Sequence, residues 1–268
     1  MKNPTSEIIL LIPHYNNISS LKESLMSIDE SFTVDILIID DGSLIKPDLY
    51  ELEAVYSNGR IIIEYFSDNQ GIEKALNFGL AKIKHSTYRY IGRLDCGDFC
   101  RKDKFKKQIE VLDHNPDIAL LGSWANIVDQ DLNLLYVLKH PTENEIIKKK
   151  MYLNSTFVHP TIVFRRTILN EIGLYPENYK YAEDYAFFFK IMRRYRVGNY
   201  PEALLDYVVS ENSISTQKRK YQVKSRIRVI LDNFYFGYYP IYGFFRNIML
   251  LFMSRETTTY LKKITYKR

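Results

Sequence analysis

Val34-Asp35-Ile36-Leu37-Ile38-Ile39, broken at once by Asp40-Asp41-Gly42-Ser43, is the stretch that sets the architecture. Apart from Asp35 the run is apolar without alternation, the pattern of a strand covered on both faces. The Asp-Gly pair that ends it is turn chemistry. The same grammar recurs on either side. Ile8-Ile9-Leu10-Leu11-Ile12 stops at Pro13 and the polar His14-Tyr15-Asn16-Asn17. Ile61 to Phe66 stops at Ser67-Asp68-Asn69-Gln70-Gly71, and Tyr88 to Leu94 stops at Asp95-Cys96-Gly97-Asp98. Ile118 to Gly122 reads as a fifth strand. Helical spacing fills the gaps: Ile18, Leu21, Leu25 and Ile28 with Asn16 or Asn17 as N-cap, then Ile72 to Ile83, then Lys102 to Asp113. Buried strands alternating with helices predict an α/β fold, Rossmann-like, with a mostly parallel sheet and helices on both faces.

In such sheets ligands bind beyond the carboxyl ends of the strands. Carboxylates follow three of the first four strands here, and acids gathered on one edge repel each other and lose hydration. A shared cation or a donor-rich ligand is the expected reason. Beyond Trp124 the pattern loosens. Leu132 to Leu138 reads as strand, Glu143 to Tyr152 as helix and Ser155 to Arg165 as a loop and short strand around His159-Pro160. Glu183 to Arg194 reads as helix and Leu204 to Val209 as strand. The expected organisation is a catalytic domain over 1–216 and a helical region over 217–268.

Of 268 residues 46% are hydrophobic and 26% charged, which excludes disordered and collagen-like classes. Two cysteines, Cys96 and Cys100, make neither a disulfide framework nor a zinc site. Met1 to Glu7 lacks a basic signal region, and Ile8 to Ile12 is too short for a signal core. Neither a G-x-G-x-x-G nor a G-x-x-x-x-G-K-[ST] occurs, which weighs against a dinucleotide-dependent oxidoreductase and a P-loop NTPase. G-x-S-x-G and H-E-x-x-H are missing as well.

Each acidic or histidine motif has a plain reading when taken alone. Asp40-Asp41-Gly42-Ser43 is a common turn, and Asp98 suits a helix N-terminus. Glu183-Asp184 are ordinary first-turn acids, and a lone His159 is more often structural. In sequence, however, Ile12-Pro13-His14-Tyr15-Asn16, Ile39-Asp40-Asp41-Gly42-Ser43, Asn69-Gln70-Gly71-Ile72 with Ala75 to Leu80, Arg93-Leu94-Asp95-Cys96-Gly97-Asp98, His159-Pro160 through Arg165, and Glu183-Asp184-Tyr185 together resemble a family-2 glycosyltransferase with the GT-A fold. The resemblance covers about residues 6–215.

The resemblance implies an inverting transfer of a sugar from a nucleotide-sugar donor to a hydroxyl. It places Pro13, Tyr15, Asp41, Gly71, Lys74, Arg93 and Asp95 at the donor nucleotide, Tyr15 near the base and Asp41 bonded to it. Asp184 would be the general base. His159, Arg165 and Glu183 would lie by the diphosphate or the acceptor entrance. Asp95 and Asp98 would meet a divalent cation, Mn²⁺ or Mg²⁺. Two departures bear on that cation: Gly97 stands where the family usually has another Asp, and Tyr207-Val208-Val209-Ser210 lacks the Arg and His of the late strand. The alternative is metal independence, with Arg93, Lys74 or Arg165 neutralising the leaving group.

The end of the chain is different in kind. Residues 218–268 hold 12 of the 37 Lys/Arg and 2 of the 32 Asp/Glu, and residues 234–245 hold eight aromatics. Basic residues with Tyr and Phe favour a membrane interface, although the same pattern also suits helices packed on the body. The uncharged stretch 233–245 is too short to span a bilayer. The expectation is a cytoplasmic protein, peripheral on the inner face of the membrane, that acts on a glycan or lipid-linked acceptor in surface polysaccharide or lipopolysaccharide synthesis and does not bind nucleic acid. A catalytically inactive nucleotide-sugar-binding partner of another transferase is the alternative function.

Overall fold

A computed structural model describes residues 6–209 and 218–253. Ser210, the expected domain boundary at 216/217 and the basic residues after Met253 lie outside the described residues. Strands β1 (Ile8–His14), β2 (Asp35–Asp40), β3 (Ile61–Tyr65) and β4 (Tyr90–Arg93) are parallel and lie in the order β3-β2-β1-β4. Helices α1 (Ile18–Met26), α2 (Leu49–Glu53) and α3 (Ile72–Lys84) make the crossovers. The two-sided burial is visible along β1. Ile9 and Leu11 join one core with Leu37, Ile39, Leu76 and Leu80, whereas Ile8, Leu10 and Ile12 join the other with Leu21, Leu25 and Phe105.

The second half adds β5 (Phe99–Cys100), α4 (Lys104–His114), β6 (Ile118–Val128), β7 (Leu134–Leu138) and α5 (Asn144–Lys150). A 3₁₀ turn at His159–Thr161 leads into β8 (Val163–Arg165), and then come α6 (Leu169–Ile172), α7 (Glu183–Met192) and β9 (Arg196–Val208). β8 lies antiparallel between β4 and β6, while β6 and β9 are parallel. β5 borders β9 and β7 borders β6, both antiparallel.

β6 continues past the expected Ile118–Gly122 to Val128, and β9 begins at Arg196, well ahead of the expected Leu204–Val209. In β9 the interruption is Pro201. The pairing steps from Ser123↔Tyr200 to Trp124↔Ala203, so Pro201 and Glu202 are skipped in a bulge. A bulge is one of the few places where a strand accepts proline. A sequence break therefore proves to be a bend within one strand.

Helices α8 (Arg219–Asp232) and α9 (Tyr238–Phe252) pack on the body. Val229 and Ile230 of α8 enter the core that contains Phe187 and Phe188. α9 buries Pro240, Gly243 and Asn247. A Cβ on Gly243 would come within 2.1 Å of the Tyr152 carbonyl oxygen, so only glycine permits this approach. The opposite face exposes Tyr238, Ile241, Tyr242, Phe245, Met249 and Phe252. Among the described residues no helix is long and apolar enough to cross a membrane.

Asn77 ties α3 to the loop before α7. Its side chain donates to the Tyr175 carbonyl (3.0 Å) and accepts from the Tyr175 N–H (2.8 Å). Asn77→Ala strands two buried backbone groups, and a loss of about 1–3 kcal/mol in urea unfolding is expected.

Candidate active site

The site is assembled at the carboxyl ends of β1, β2 and β4, facing the start of α7. His14 and Asp40, both buried, form its floor. His14 Nδ1 lies 2.7 Å from Asp40 Oδ1, and His14 Nε2 accepts from the Asn17 N–H. An accepting Nε2 puts the proton on Nδ1, which donates to the carboxylate. Ser43 adds its hydroxyl at 2.5 Å and its N–H at 3.2 Å to the same carboxyl group. Asp40 is thus framework, and the loops it holds present Tyr15, whose surface is 50% exposed.

Asp41 accepts from the N–H groups of Gln70 (2.7 Å) and Gly71 (2.9 Å). Burial raises its carboxyl above the usual value, and the two N–H groups oppose that rise. The expected base contact is therefore to a carboxylate that already fastens the loop launching α3. Gly42 makes this possible: its φ is +72°, and a Cβ there would come within 2.3 Å of the Asp68 carbonyl carbon. Lys74, on the first turn of α3, is exposed. Pro13 is half-buried, and its carbonyl accepts from Cys96 Sγ.

At the end of β4, Arg93 is fully buried and donates to the Leu11 carbonyl and to Asp95 Oδ1. This corrects one expectation: Arg93 holds Asp95 from beneath and is not an open cation for a leaving group. Asp95 keeps 32% of its side chain exposed. Asp98 is buried, and its Oδ1 accepts from the Val208 N–H at 3.0 Å. Burial first and Asp95 second push its carboxyl well above the usual range.

Glu183 and Asp184 open α7. Glu183 is buried, its Oε2 has no hydrogen-bond partner, and burial followed by the charge of Asp184 pushes its carboxyl up to about 8. Burial also raises Asp184, and Asp95 adds to the rise; the Tyr185 N–H and Arg226 oppose it. Three carboxylates from two elements thus share one field. His159 shares a 2.8 Å hydrogen bond with the Tyr175 hydroxyl. Burial and the nearby Arg93 keep its ring neutral.

Arg165 is the second correction. β8 runs antiparallel to β4, so its His159 end lies by Arg93 and its Arg165 end pairs with Tyr90 at the opposite sheet edge. There Arg165 donates to the carbonyls of Leu112, Asn115 and Ile118. It is a structural clamp remote from the site. Arg226 of α8, in the basic stretch that the sequence reading assigns to a membrane-facing surface, lies close enough to Asp184 to oppose the rise of its carboxyl.

The site offers few ligands for a divalent cation. Among the described residues no three His, Cys, Asp or Glu side chains are placed to hold one. Gly97 offers no side chain, and Asp98 is committed to Val208. Asp95 retains Oδ2, which suits a cation held by one carboxylate and by substrate phosphates but not a cage built by the protein alone.

Strand order, crossovers and the acidic edge define a glycosyltransferase of the GT-A fold, and solved structures agree. S. aureus TarS 1-349 in complex with UDP-GlcNAc superposes with a TM-score of 0.65 at 19% identity, over 85% of this chain and 66% of that one. The mannosyltransferase PcManGT from Pyrobaculum calidifontis, in complex with GDP-Man and Mn²⁺, gives 0.63 at 15%, over 94% and 71%. At these identities the likeness is one of fold. The chain belongs to glycosyl transferase family 2, whose family model matches residues 9–173. It is 28% identical over 281 residues to an Escherichia coli UDP-Gal:alpha-D-GlcNAc-diphosphoundecaprenol beta-1,3-galactosyltransferase, covering 100% of this chain and 98% of that protein. It is 27% identical over 218 residues to the amylovoran biosynthesis glycosyltransferase AmsE of Erwinia amylovora, covering 79% and 76%. The relatives thus include enzymes of polysaccharide biosynthesis.

Glu183 binds its proton more tightly in the folded chain than in the unfolded one. Its contribution to stability is complete below about 4.5 and is lost as pH rises through about 8. Melting temperature followed from pH 5 to pH 8 should therefore fall less in Glu183→Gln than in the unmodified protein.

Proposed function

We propose that this glycosyltransferase moves a sugar from a nucleotide-sugar donor to a hydroxyl of a lipid-linked or glycan acceptor, inverting the anomeric carbon, during surface polysaccharide or lipopolysaccharide synthesis. The observation that carries the reading is the shared field of Asp95, at the end of β4, and Asp184, at the start of α7. One supports the donor side and the other faces the acceptor. A single displacement needs a base and no enzyme nucleophile, and the thiol nearest the site suits that requirement. Cys96 donates to the Pro13 carbonyl, and burial raises its pKa far above neutrality.

In this reading Tyr15 covers the base, while Asp41 holds the loop that frames the nucleotide. Asp184 takes the acceptor proton. Burial raises both Glu183 and Asp184 and each charge raises the other, so the pair favours a single negative charge, which this reading assigns to Asp184. Proton removal by a positioned carboxylate gives about 10²–10⁴-fold. A divalent cation, when bound, supplies charge neutralisation at the departing diphosphate; Asp95 would hold it, with exposed Lys74 on the same edge. The E. coli relative's diphosphoundecaprenol-linked acceptor and the UDP-GlcNAc in TarS support the substrate classes. The exposed apolar face of α9, on a helix packed against α8 with its exposed Lys220 and Lys224, supports peripheral contact with the inner face of the cytoplasmic membrane.

Asp184→Asn should lower kcat by about 10²–10⁴-fold while keeping the thermal shift produced by the donor. A panel of UDP-, GDP-, dTDP- and CMP-sugars with Mn²⁺, Mg²⁺ or EDTA identifies that donor. No shift with any of them, or full activity in Asp184→Asn, overturns the reading. Replacing Tyr238, Phe245 and Phe252 together by Ser should reduce cosedimentation with phosphatidylglycerol vesicles severalfold and leave turnover of a soluble acceptor unchanged.

A further inference from the structure

Arg226 and Arg246 come from different helices of the C-terminal region and meet beside the start of α7. The Arg226 guanidinium lies 5.8 Å from the Tyr185 ring centroid, and its Nη1 donates to Asn154 Oδ1 at 2.8 Å. Arg246 Nη1 donates to the Leu153 carbonyl at 2.7 Å. The two helices therefore anchor an arginine on each of two consecutive residues just beyond α5. Arg226 Nε is buried and has no hydrogen-bond partner. Among the described residues no carboxylate lies within ion-pair distance of either guanidinium.

Two adjacent guanidiniums repel each other, and partial burial adds a desolvation cost. Burial first, and Arg246 in addition, bear against the charge of Arg226. Asp184 eases this through space without pairing directly. A phosphate or diphosphate would satisfy the pair, because the guanidinium fork matches phosphate oxygens in a bidentate fashion. The position also suits the reaction. Arg226 lies close enough to Asp184 to oppose the rise of its carboxyl, so a phosphate held there would be near an acceptor hydroxyl at Asp184.

We propose that Arg226 and Arg246 form the binding site for a phosphate or diphosphate group carried by the acceptor, and so select phosphorylated acceptors over neutral ones. This rests on Asp184 as the base in the reading above. The family model ends at residue 173, so the pair belongs to a part of the chain that the model does not reach. A phospholipid headgroup presents the same chemistry, and the test separates the two sources.

The full chain is saturated with the nucleotide that gives the thermal shift, and calorimetry then measures dodecyl diphosphate, neutral dodecyl glucoside and phosphatidylglycerol vesicles. The unmodified protein should bind dodecyl diphosphate, more weakly as salt rises. Arg226→Gln and Arg246→Gln should each weaken that binding by roughly tenfold or more, with partial rescue in Arg226→Lys. Nucleotide binding, vesicle binding and the weak response to dodecyl glucoside should not change. The kcat/KM ratio between a diphosphate-linked and a neutral acceptor should fall in both variants. Unchanged dodecyl diphosphate binding in the variants overturns the proposal. So does a parallel loss of nucleotide binding, which would put the arginines at the donor or in the fold. A parallel loss of vesicle binding, which would make the site a headgroup site, also overturns it. If Arg226→Gln only moves the acid limb of activity to higher pH, with acceptor preference intact, the arginine merely lowers the pKa of Asp184 and the proposal fails. These binding measurements involve no transfer step. Failure of the base assignment, read from Asp184→Asn turnover, is thus scored separately.

Discussion

The buried guanidinium of Arg93 is the constraint on which the acidic end of the sheet depends. It is fully enclosed, yet it bonds the backbone of β1 at Leu11 and the side chain of Asp95. Its charge opposes the rise of Asp98 and helps to keep His159 neutral. An isolated buried cation would be costly, as would an isolated group of carboxylates. Placed together they offset each other, and a neutral His159 can bond Tyr175 without adding a second cation. Tyr175 is held in turn by Asn77. One side chain thus links β1, β4, the 3₁₀ turn before β8 and the loop before α7.

The missing third carboxylate has a local cause. The Asp98 N–H donates to the Asp95 carbonyl across Cys96 and Gly97, and Gly97 has a φ of +94°. That is the third position of a turn that demands a positive φ. Space does not forbid a side chain there, since the nearest atom to a Cβ would be 3.8 Å away. The backbone forbids it: any β-carbon would be strained at this φ. The turn also carries Asp98 to Val208, where it fastens the loop to β9. What the site loses in potential ligands it regains as a rigid loop around Asp95.

The first four strands and their helices were legible because buried parallel strands leave uninterrupted apolar runs, and the carboxylates after them fall where the topology puts ligands. The reach of β9 was not legible, because Pro201 looks like a boundary until the bulge opposite Trp124 is known. Arg165 was misplaced for a related reason. Its neighbour in sequence, His159, does lie by Arg93, but a three-residue antiparallel strand carries Arg165 to the far edge. Direction of pairing is tertiary information that a short apolar run does not encode. Arg93, Asp98 and Asp41 were found as residues but not as contacts, since burial decides whether a polar group serves a ligand or the backbone.

The C-terminal region presents two unlike faces. One face of α9 packs so closely on Tyr152 that only Gly243 fits, and the other carries a bare stripe of aromatics. The same packing brings Arg246 to Leu153, beside Arg226 on Asn154. A helix pair fastened this tightly cannot tilt toward a bilayer without moving both arginines relative to Asp184. On the proposed reading, a membrane at the exposed face of α9 and an acceptor at Asp184 are joined through these contacts. An acceptor tethered in the bilayer would reach Asp184 from the side that α8 and α9 define.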